Sequence, residues 1–174
     1  MMNTTITKCT NADIDTIQAL SCKAFRDAFG HLNSKENLNA FLETAYNTTK
    51  LLMELENSNS SFFIIYDNDV PAGYLKVNDH GAQTDIQDPL ALEVERIYLV
   101  NEFIGKGYGR LLMEKAMELA RHLEKSYLWL GVWEENEKAI NFYQKFDFYP
   151  FSKHSFFIGE EEQFDLLLRK DLTC

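Results

Sequence analysis

A glycine-rich segment in the middle of the chain has the residue types of an anion site. It follows residues 92–100, whose alternating apolar and charged side chains predict a strand, and it opens an amphipathic helix predicted over residues 107–123. The free N–H groups and the positive dipole end of a helix start attract negative charge, and glycine lets a phosphate approach the backbone closely. The residues of this predicted phosphate site are Gly105, Lys106, Gly107, Tyr108, Gly109 and Arg110.

The spacing of these glycines excludes two common phosphate-binding motifs. A dinucleotide fingerprint needs a third glycine where this chain has Arg110, and a Walker loop needs Ser or Thr after its lysine, where this chain has Gly107 after Lys106. Taken alone, the glycines are equally compatible with a tight turn that binds nothing.

A second segment, residues 133–148, has the pattern of a short helix that carries a reactive hydroxyl. Asn136 is suited to cap the helix. Helical spacing places Ala139, Phe142 and Phe146 on one side, towards the core, and Asn136, Ile140 and Tyr143 on another. Tyr143 is therefore expected to present its hydroxyl to a ligand, although a purely structural tyrosine is the alternative.

Carboxylates on the predicted strand could accept a proton from a substrate. Glu93 and Glu95 share one face by the two-residue period of a strand. An alkyl ammonium of pKa ~10.4 is mostly charged near neutral pH, so an amine needs such a proton acceptor before it can react. Ordinary surface carboxylates are the alternative for both residues.

The surrounding pattern predicts one mixed α/β domain over residues 1–174. Strands are expected at residues 4–9, 62–66, 72–77, 92–100, 127–133, 148–152 and 163–169, the last two flanking an acidic loop at residues 160–162. The first helix is expected to begin at a capping box formed by Thr10 and Asp13, and Asn33 and Glu36 are expected to cap the second helix. Three further helices are expected at residues 48–56, 107–123 and 136–146. Parallel pairing is expected where a helix separates consecutive strands.

The charged, cysteine and histidine residues limit the kinds of partner and metal that are expected for this chain. With 17 Lys plus Arg against 27 Asp plus Glu, the net charge is −10, which disfavours binding to nucleic acid and suits a cationic partner, although a solvated acidic surface gives the same charge. Neither the cysteines (Cys9, Cys22, Cys174) nor the four histidines have metal-ligand spacing, so no metal is expected. The chain lacks a secretory leader and an apolar run of ~20 residues, which predicts a cytoplasmic protein away from membranes.

Together, the two segments resemble the signatures of the Gcn5-related N-acetyltransferase (GNAT) family. The acetyl-CoA loop of that family, Arg/Gln-x-x-Gly-x-Gly/Ala, is matched at Gly107 and Gly109, with Ile104 in place of the first polar residue. The second signature is matched at Asn136, Ala139, Phe142, Tyr143 and Phe148, with Asp147 in place of a glycine. Aspartate tolerates the left-handed conformation that a helix end requires there.

The resemblance implies a fold, a co-substrate and roles for named residues. The implied GNAT fold is a mixed central sheet of about seven strands flanked by helices and splayed between strands 4 and 5. Acetyl-CoA would lie in the splay and pass its acetyl group directly to an amine. The implied acetyl-CoA-binding residues are the glycine turn, the backbone of Ile97, Tyr98 and Leu99, and Asn136 and Tyr143. Tyr143 would protonate the thiolate, and Glu95 is favoured as the proton acceptor.

Within the family, three stretches are similar to the PaiA-type spermidine/spermine N-acetyltransferases: residues 92–98, 129–136 and 154–163. This similarity implies a polyamine acceptor, with Glu93, Glu95 and Glu134 as its predicted binding residues. A peptide N-terminus, a lysine or another small amine is the alternative acceptor, and a CoA-binding regulatory module without turnover is the alternative function. A homodimer is one assembly that the sequence leaves open.

Overall fold

The strands form one mixed sheet in the computed structural model, which describes residues 3–158 and 161–172. The seven strands of this described part lie in the order β1-β2-β3-β4-β5-β7-β6. They are β1 Thr4–Lys8, β2 Ser60–Asp67, β3 Val70–Asn78, β4 Ala91–Leu99, β5 Tyr127–Trp133, β6 Tyr149–Ile158 and β7 Glu161–Asp171. The helices are α1 Ile14–Phe29, α2 Lys35–Ala45, α3 Thr48–Glu56, α4 Tyr108–His122 and α5 Glu137–Gln144. The predicted fold class is therefore confirmed.

The sheet opens between its two central strands. Strands β4 and β5 are parallel and pair through three positions, the last of which joins Glu93 to Trp129. Beyond that pair β4 bonds only to β3, and β5 bonds only to β7. The splay between strands 4 and 5 is thus present, and it begins directly after Glu93.

A β-bulge in β4 lies at the start of this opening. Val77 of β3 pairs with Val94, and the preceding Lys76 pairs with Arg96, so Glu95 is one extra residue on β4. A bulge bends its strand and increases the local twist, which carries β4 away from β5. Glu95 and Arg96 consequently share the sheet face that also carries Glu93.

Each face of the sheet is covered by a separate hydrophobic core. On one face α4 contributes Leu112, Met113 and Ala116, which pack with Leu92 and Val94. On the other face α1 and α3 contribute Ile17 and Leu51, which pack with the buried Tyr74 and with Tyr98. We call these the α4 face and the α1 face.

Several predicted boundaries were wrong in detail. Ser34 caps α2 by accepting from Asn37 N (3.2 Å), whereas the Asn33 side chain donates back to the Phe29 carbonyl at the end of α1 (3.0 Å). Helix α5 ends at Gln144, and β7 already begins at Glu161, within the predicted acidic loop. Residues 1–2, 159–160 and 173–174, including Cys174, lie outside the described residues.

No helix in residues 3–158 and 161–172 combines the length and apolar character needed to cross a membrane.

Candidate functional site

The glycine turn before α4 has a backbone that only glycine adopts easily. Gly105 has φ 85° and Gly107 has φ 86°, both in the left-handed region, and a Cβ atom built on either would meet no atom within 4 Å. Gly107 is the N-cap of α4, whose first bond runs from Leu111 N to Gly107 O (3.2 Å). The N–H groups of the first turn, before Leu111, therefore lack partners within the helix. These free N–H groups can donate to an anion.

The cationic side chains of this turn already have carboxylate partners. Lys106 Nζ lies 3.7 Å from Asp67 Oδ2 and 4.6 Å from the centre of the Phe103 ring. Arg110 is mostly exposed and pairs with Glu114 at 2.7 Å. Exposed pairs of this kind are weak, at about 0–1 kcal/mol, so both cations can turn to an anion at small cost. The Tyr108 side chain is buried and faces the Phe103 ring.

Backbone groups of β4 line the opening. Val100 N donates to Ala72 O of β3 (3.0 Å), and N–H directions alternate along an antiparallel strand. The N–H groups of Ile97 and Leu99 therefore point away from β3 into the gap that β5 leaves open. This free strand edge can pair with an extended chain such as the pantetheine arm, or donate to a carbonyl oxygen.

Tyr143 reaches the site from the α4 face. Its side chain is buried in that core, with ring centroids 5.4 Å from Phe142 and 6.0 Å from Phe148. The sequence predicted that Phe142 packs towards the core and that Tyr143 points away from it. Phe142 does pack against this core, but Tyr143 is buried in it more deeply than Phe142. Burial raises the pKa of Tyr143 far above its usual value, so its hydroxyl stays protonated near neutral pH.

The ends of α5 follow the predicted local rules. The Asn136 side-chain oxygen accepts from Ala139 N (3.1 Å), which makes it a cap and occupies that oxygen. Asp147 has φ 63°, the left-handed conformation expected of it in the position of the family glycine.

Glu95 lies in a nearly buried charge cluster on the α1 face, together with Glu54, Lys76 and Arg96. Lys76 Nζ is 2.5 Å from Glu95 Oε2 and 3.2 Å from Glu54 Oε2, and Arg96 binds Glu54 through two nitrogens at 2.8 and 2.9 Å. Burial alone would raise the pKa of Glu95, but the charges of Arg96 and Lys76 hold it below its ordinary range. A carboxylate stabilised in this way is a weak proton acceptor. Glu95 also lines an open polar cavity of about 570 Å³.

The other two carboxylates predicted to bind the acceptor lie apart from this cavity. Glu93 is buried, and its oxygens accept from Thr84 Oγ1 (2.5 Å), Thr84 N (2.9 Å) and Asn78 Nδ2 (2.9 Å). Burial raises the pKa of Glu93. Glu134 pairs with Lys153 at 2.9 Å, and Lys153 lies opposite Leu166, which packs in the α4 core. Glu134 is thus on the α4 face, whereas Glu93 and Glu95 are on the α1 face.

Three residues near the opening were not predicted from the sequence to belong to the site. Asp165 of β7 lies opposite both Trp133 of β5 and His154 of β6, and His154 Nδ1 is 3.2 Å from Asp85 Oδ1. Burial is the main cause that raises the pKa of Asp165. These residues are far apart in the sequence, and no local pattern indicates that the fold brings them together. Among the described residues, no group of three or more His, Cys, Asp or Glu could hold a metal ion.

Comparison with known proteins agrees with this geometry. The model of the Acetyltransferase (GNAT) family matches residues 17–148. The chain belongs to this family. A curated GNAT relative, an uncharacterized N-acetyltransferase in the pepI 3' region of Lactobacillus delbrueckii subsp. lactis, is 41% identical over 173 residues, which cover 99% of this chain and 100% of the relative.

Solved structures show the same GNAT fold. The PaiA N-acetyltransferase of Thermoplasma acidophilum in complex with coenzyme A has a TM-score of 0.80 at 19% identity, over 98% of this chain and 100% of that one. The ribosomal-protein-S18-alanine N-acetyltransferase of Escherichia coli has a TM-score of 0.74 at 13% identity, over 99% and 96%. The chain is therefore a GNAT N-acetyltransferase that uses acetyl-CoA.

Proposed function

We propose that the acceptor is a primary amine of a polyamine such as spermidine or spermine. The observation that carries this proposal is a set of carboxylates on the α1 face beside the opening, namely Glu95, Asp85 and Asp165. The net charge of −10 acts in the same direction. Each exposed ion pair contributes only about 0–1 kcal/mol, so an acceptor with several ammonium groups gains more than a monoamine does. The PaiA-type sequence resemblance also supports a polyamine.

Acetyl-CoA supplies the activated acetyl group, and the chain supplies its position and its protons. We assign the pyrophosphate to the N–H groups of the turn at Gly105 and Gly107, with Lys106 and Arg110 as nearby cations. The N–H groups of Ile97 and Leu99 hold the arm and polarise the thioester carbonyl.

The two proton transfers of the reaction then take place on different faces of the sheet. Tyr143 lies in the core on the α4 face and gives its proton to the departing thiolate. The amine enters from the α1 face, where the carboxylates lie. The amine therefore gives up its proton on the α1 face, and the departing thiolate receives one from the α4 face.

The test is acetyl transfer to a panel of amines at two ionic strengths. We expect spermine and spermidine to show a higher kcat/KM than a monoamine of equal length. Added salt should raise KM more for spermine, because screening acts on each additional charge. Equal kcat/KM and equal salt sensitivity would transfer the assignment to a small monoamine. Selective turnover of a peptide N-terminus or lysine would replace the polyamine, and CoA binding without any turnover would indicate a regulatory module.

A further inference from the structure

The carboxylates on the α1 face differ in whether their oxygens are already bonded. Glu93 accepts three hydrogen bonds from within the protein, and Glu95 is held by Lys76, Arg96 and Asn78. Asp165 is half-buried, and its carboxylate forms no hydrogen bond or ion pair with any residue in the described ranges. Among these three carboxylates, Asp165 therefore has oxygens that are free to bond to an ammonium and accept its proton, and its partial burial disfavours the charged form.

Strand register places Asp165 level with the reacting end of β4. Trp133 lies four residues beyond Trp129, and Ile97 lies four residues beyond Glu93, the partner of Trp129 in the last β4–β5 pair. At about 3.3 Å per residue, Trp133 lies about 13 Å past that pair. Because Glu95 is a bulge residue, Ile97 lies only about 10 Å past it and Tyr98 about 13 Å, so Tyr98 is level with Trp133. Asp165 is the β7 partner of Trp133. Its side chain shares the face of Leu167, which packs with Trp129 on the side away from α4.

Tyr98 connects Asp165 to the rest of the site. The pKa of Tyr98 is raised, mainly by burial, and Tyr143 and Asp165 are both close enough to add to this rise. Tyr143 and Asp165 are therefore both within electrostatic range of Tyr98.

We propose that Asp165 is the catalytic residue that takes the proton from the acceptor ammonium, directly or through one water. This inference rests on the proposed amine acetyl transfer. The ammonium nitrogen loses one proton to the Asp165 carboxylate, and its lone pair then forms the N–C bond as the C–S bond breaks. The thiolate takes the Tyr143 proton. The acetylated nitrogen passes its second proton to the Tyr143 phenolate through solvent, and Asp165 later releases its own proton to solvent.

The charged and titratable groups around Asp165 suit this role. His154 of β6 is directly opposite, and its positive charge lowers the pKa of Asp165, whereas the charge of Asp85 in the loop before β4 raises it. Burial has the largest effect and raises that pKa. Asp85 pairs with His154 and so limits the effect of the imidazole on Asp165.

The experiment compares Asp165→Asn with Asp15→Asn, which removes an equal charge from an exposed position in the first turn of α1. Acetyl transfer is measured against pH with two acceptors: spermidine, and a fluorinated alkylamine that is neutral at pH 7. We expect Asp165→Asn to lower kcat/KM for spermidine by about 100-fold at pH 7, with a loss that shrinks as pH rises. The loss should be less than about 5-fold for the neutral amine, because its nitrogen already has a free lone pair and needs no base before it attacks. Asp15→Asn should leave kcat/KM for both amines unchanged.

Two further measurements separate proton transfer from structural damage. Calorimetric acetyl-CoA affinity should be unchanged in Asp165→Asn, and Asp165→Glu, which keeps a carboxylate, should recover part of the rate. An equal loss for both amines, or a wild-type pH profile in Asp165→Asn, would overturn the assignment while leaving amine acetylation in place. Failure of the unmutated protein to acetylate any amine would overturn the proposed function and this inference together.

Discussion

Replacing Gly107 tests the phosphate site most directly, because its backbone conformation is unfavourable for any other residue. Its φ of 86° costs an L-residue about 1–2 kcal/mol, and more when the side chain is β-branched. A Cβ there would meet no atom within 4 Å, so the cost is conformational and not a clash with the core. In Gly107→Ala and Gly107→Val the turn is therefore expected to relax to a negative φ, which redirects the N–H groups away from the phosphate.

The size of the effect follows from that cost. If the binding-competent turn becomes 1–2 kcal/mol less favourable, CoA affinity should fall by about 5- to 30-fold in Gly107→Ala and further in Gly107→Val. Isothermal calorimetry measures the affinity, and thermal unfolding checks that the fold is intact. Gly81→Val is the matched control, because Gly81 is exposed, lacks a left-handed φ and has no atom near its Cβ position. If a folded Gly107→Val bound CoA as tightly as Gly81→Val, the phosphate could not lie on this turn.

Three further predictions concern the role of Tyr143 as an acid, the stability of the charge cluster around Glu95, and the dependence of stability on pH. Tyr143→Phe should lower kcat by tens-fold with an unchanged acetyl-CoA affinity, because only the proton for the thiolate is lost; an unaltered rate of the chemical step in single turnovers would exclude the acid role. Arg96→Met should reduce the free energy of unfolding in urea by about 3 kcal/mol, since Glu54 and Glu95 lose a nearly buried partner. Arg110→Met, which removes an exposed pair, should cost about 0–1 kcal/mol, and equal losses would contradict this account of the cluster. Because the folded pKa of Glu95 is lowered, its contribution to stability is present above its ordinary pKa of 4.5 and is lost as pH falls through the folded value. Glu95→Gln should flatten this acid dependence in urea unfolding, and an unchanged slope would argue against it.

The local features of the site could be predicted because they follow from short-range rules. Positive φ angles at Gly105 and Gly107, the Asn136 cap and the left-handed Asp147 each depend on residues within one turn of the chain. The order of strands and helices follows from side-chain periodicity, and it was sufficient for the fold class.

Long-range partners could not be predicted from the sequence. Period-two alternation correctly placed Glu93 and Glu95 on one face. It gave no indication that Thr84 hydrogen-bonds to Glu93, or that Lys76 and Arg96 form ion pairs with Glu95. The alternation rule failed at the next residue, Arg96, which shares the face of Glu95 because of a bulge that depends on the pairing with β3. Asp165 was missed for the same reason, since its position is fixed by register with β5 and β6 and by no local pattern.

The opening of the sheet also depends on the number of residues in β4, because the bulge adds one residue to that strand. Without Glu95, Val94 and Arg96 would be consecutive, and every other β4 side chain would keep its present face and its present β3 partner. The ladder would then be regular, and β4 would lose the bend that begins where its bonds to β5 stop. The space for a thioester is thus created by one surplus residue in one of two neighbouring strands. A chain shortened by that single residue would conserve both cores and would be expected to close the gap through which the reaction must pass.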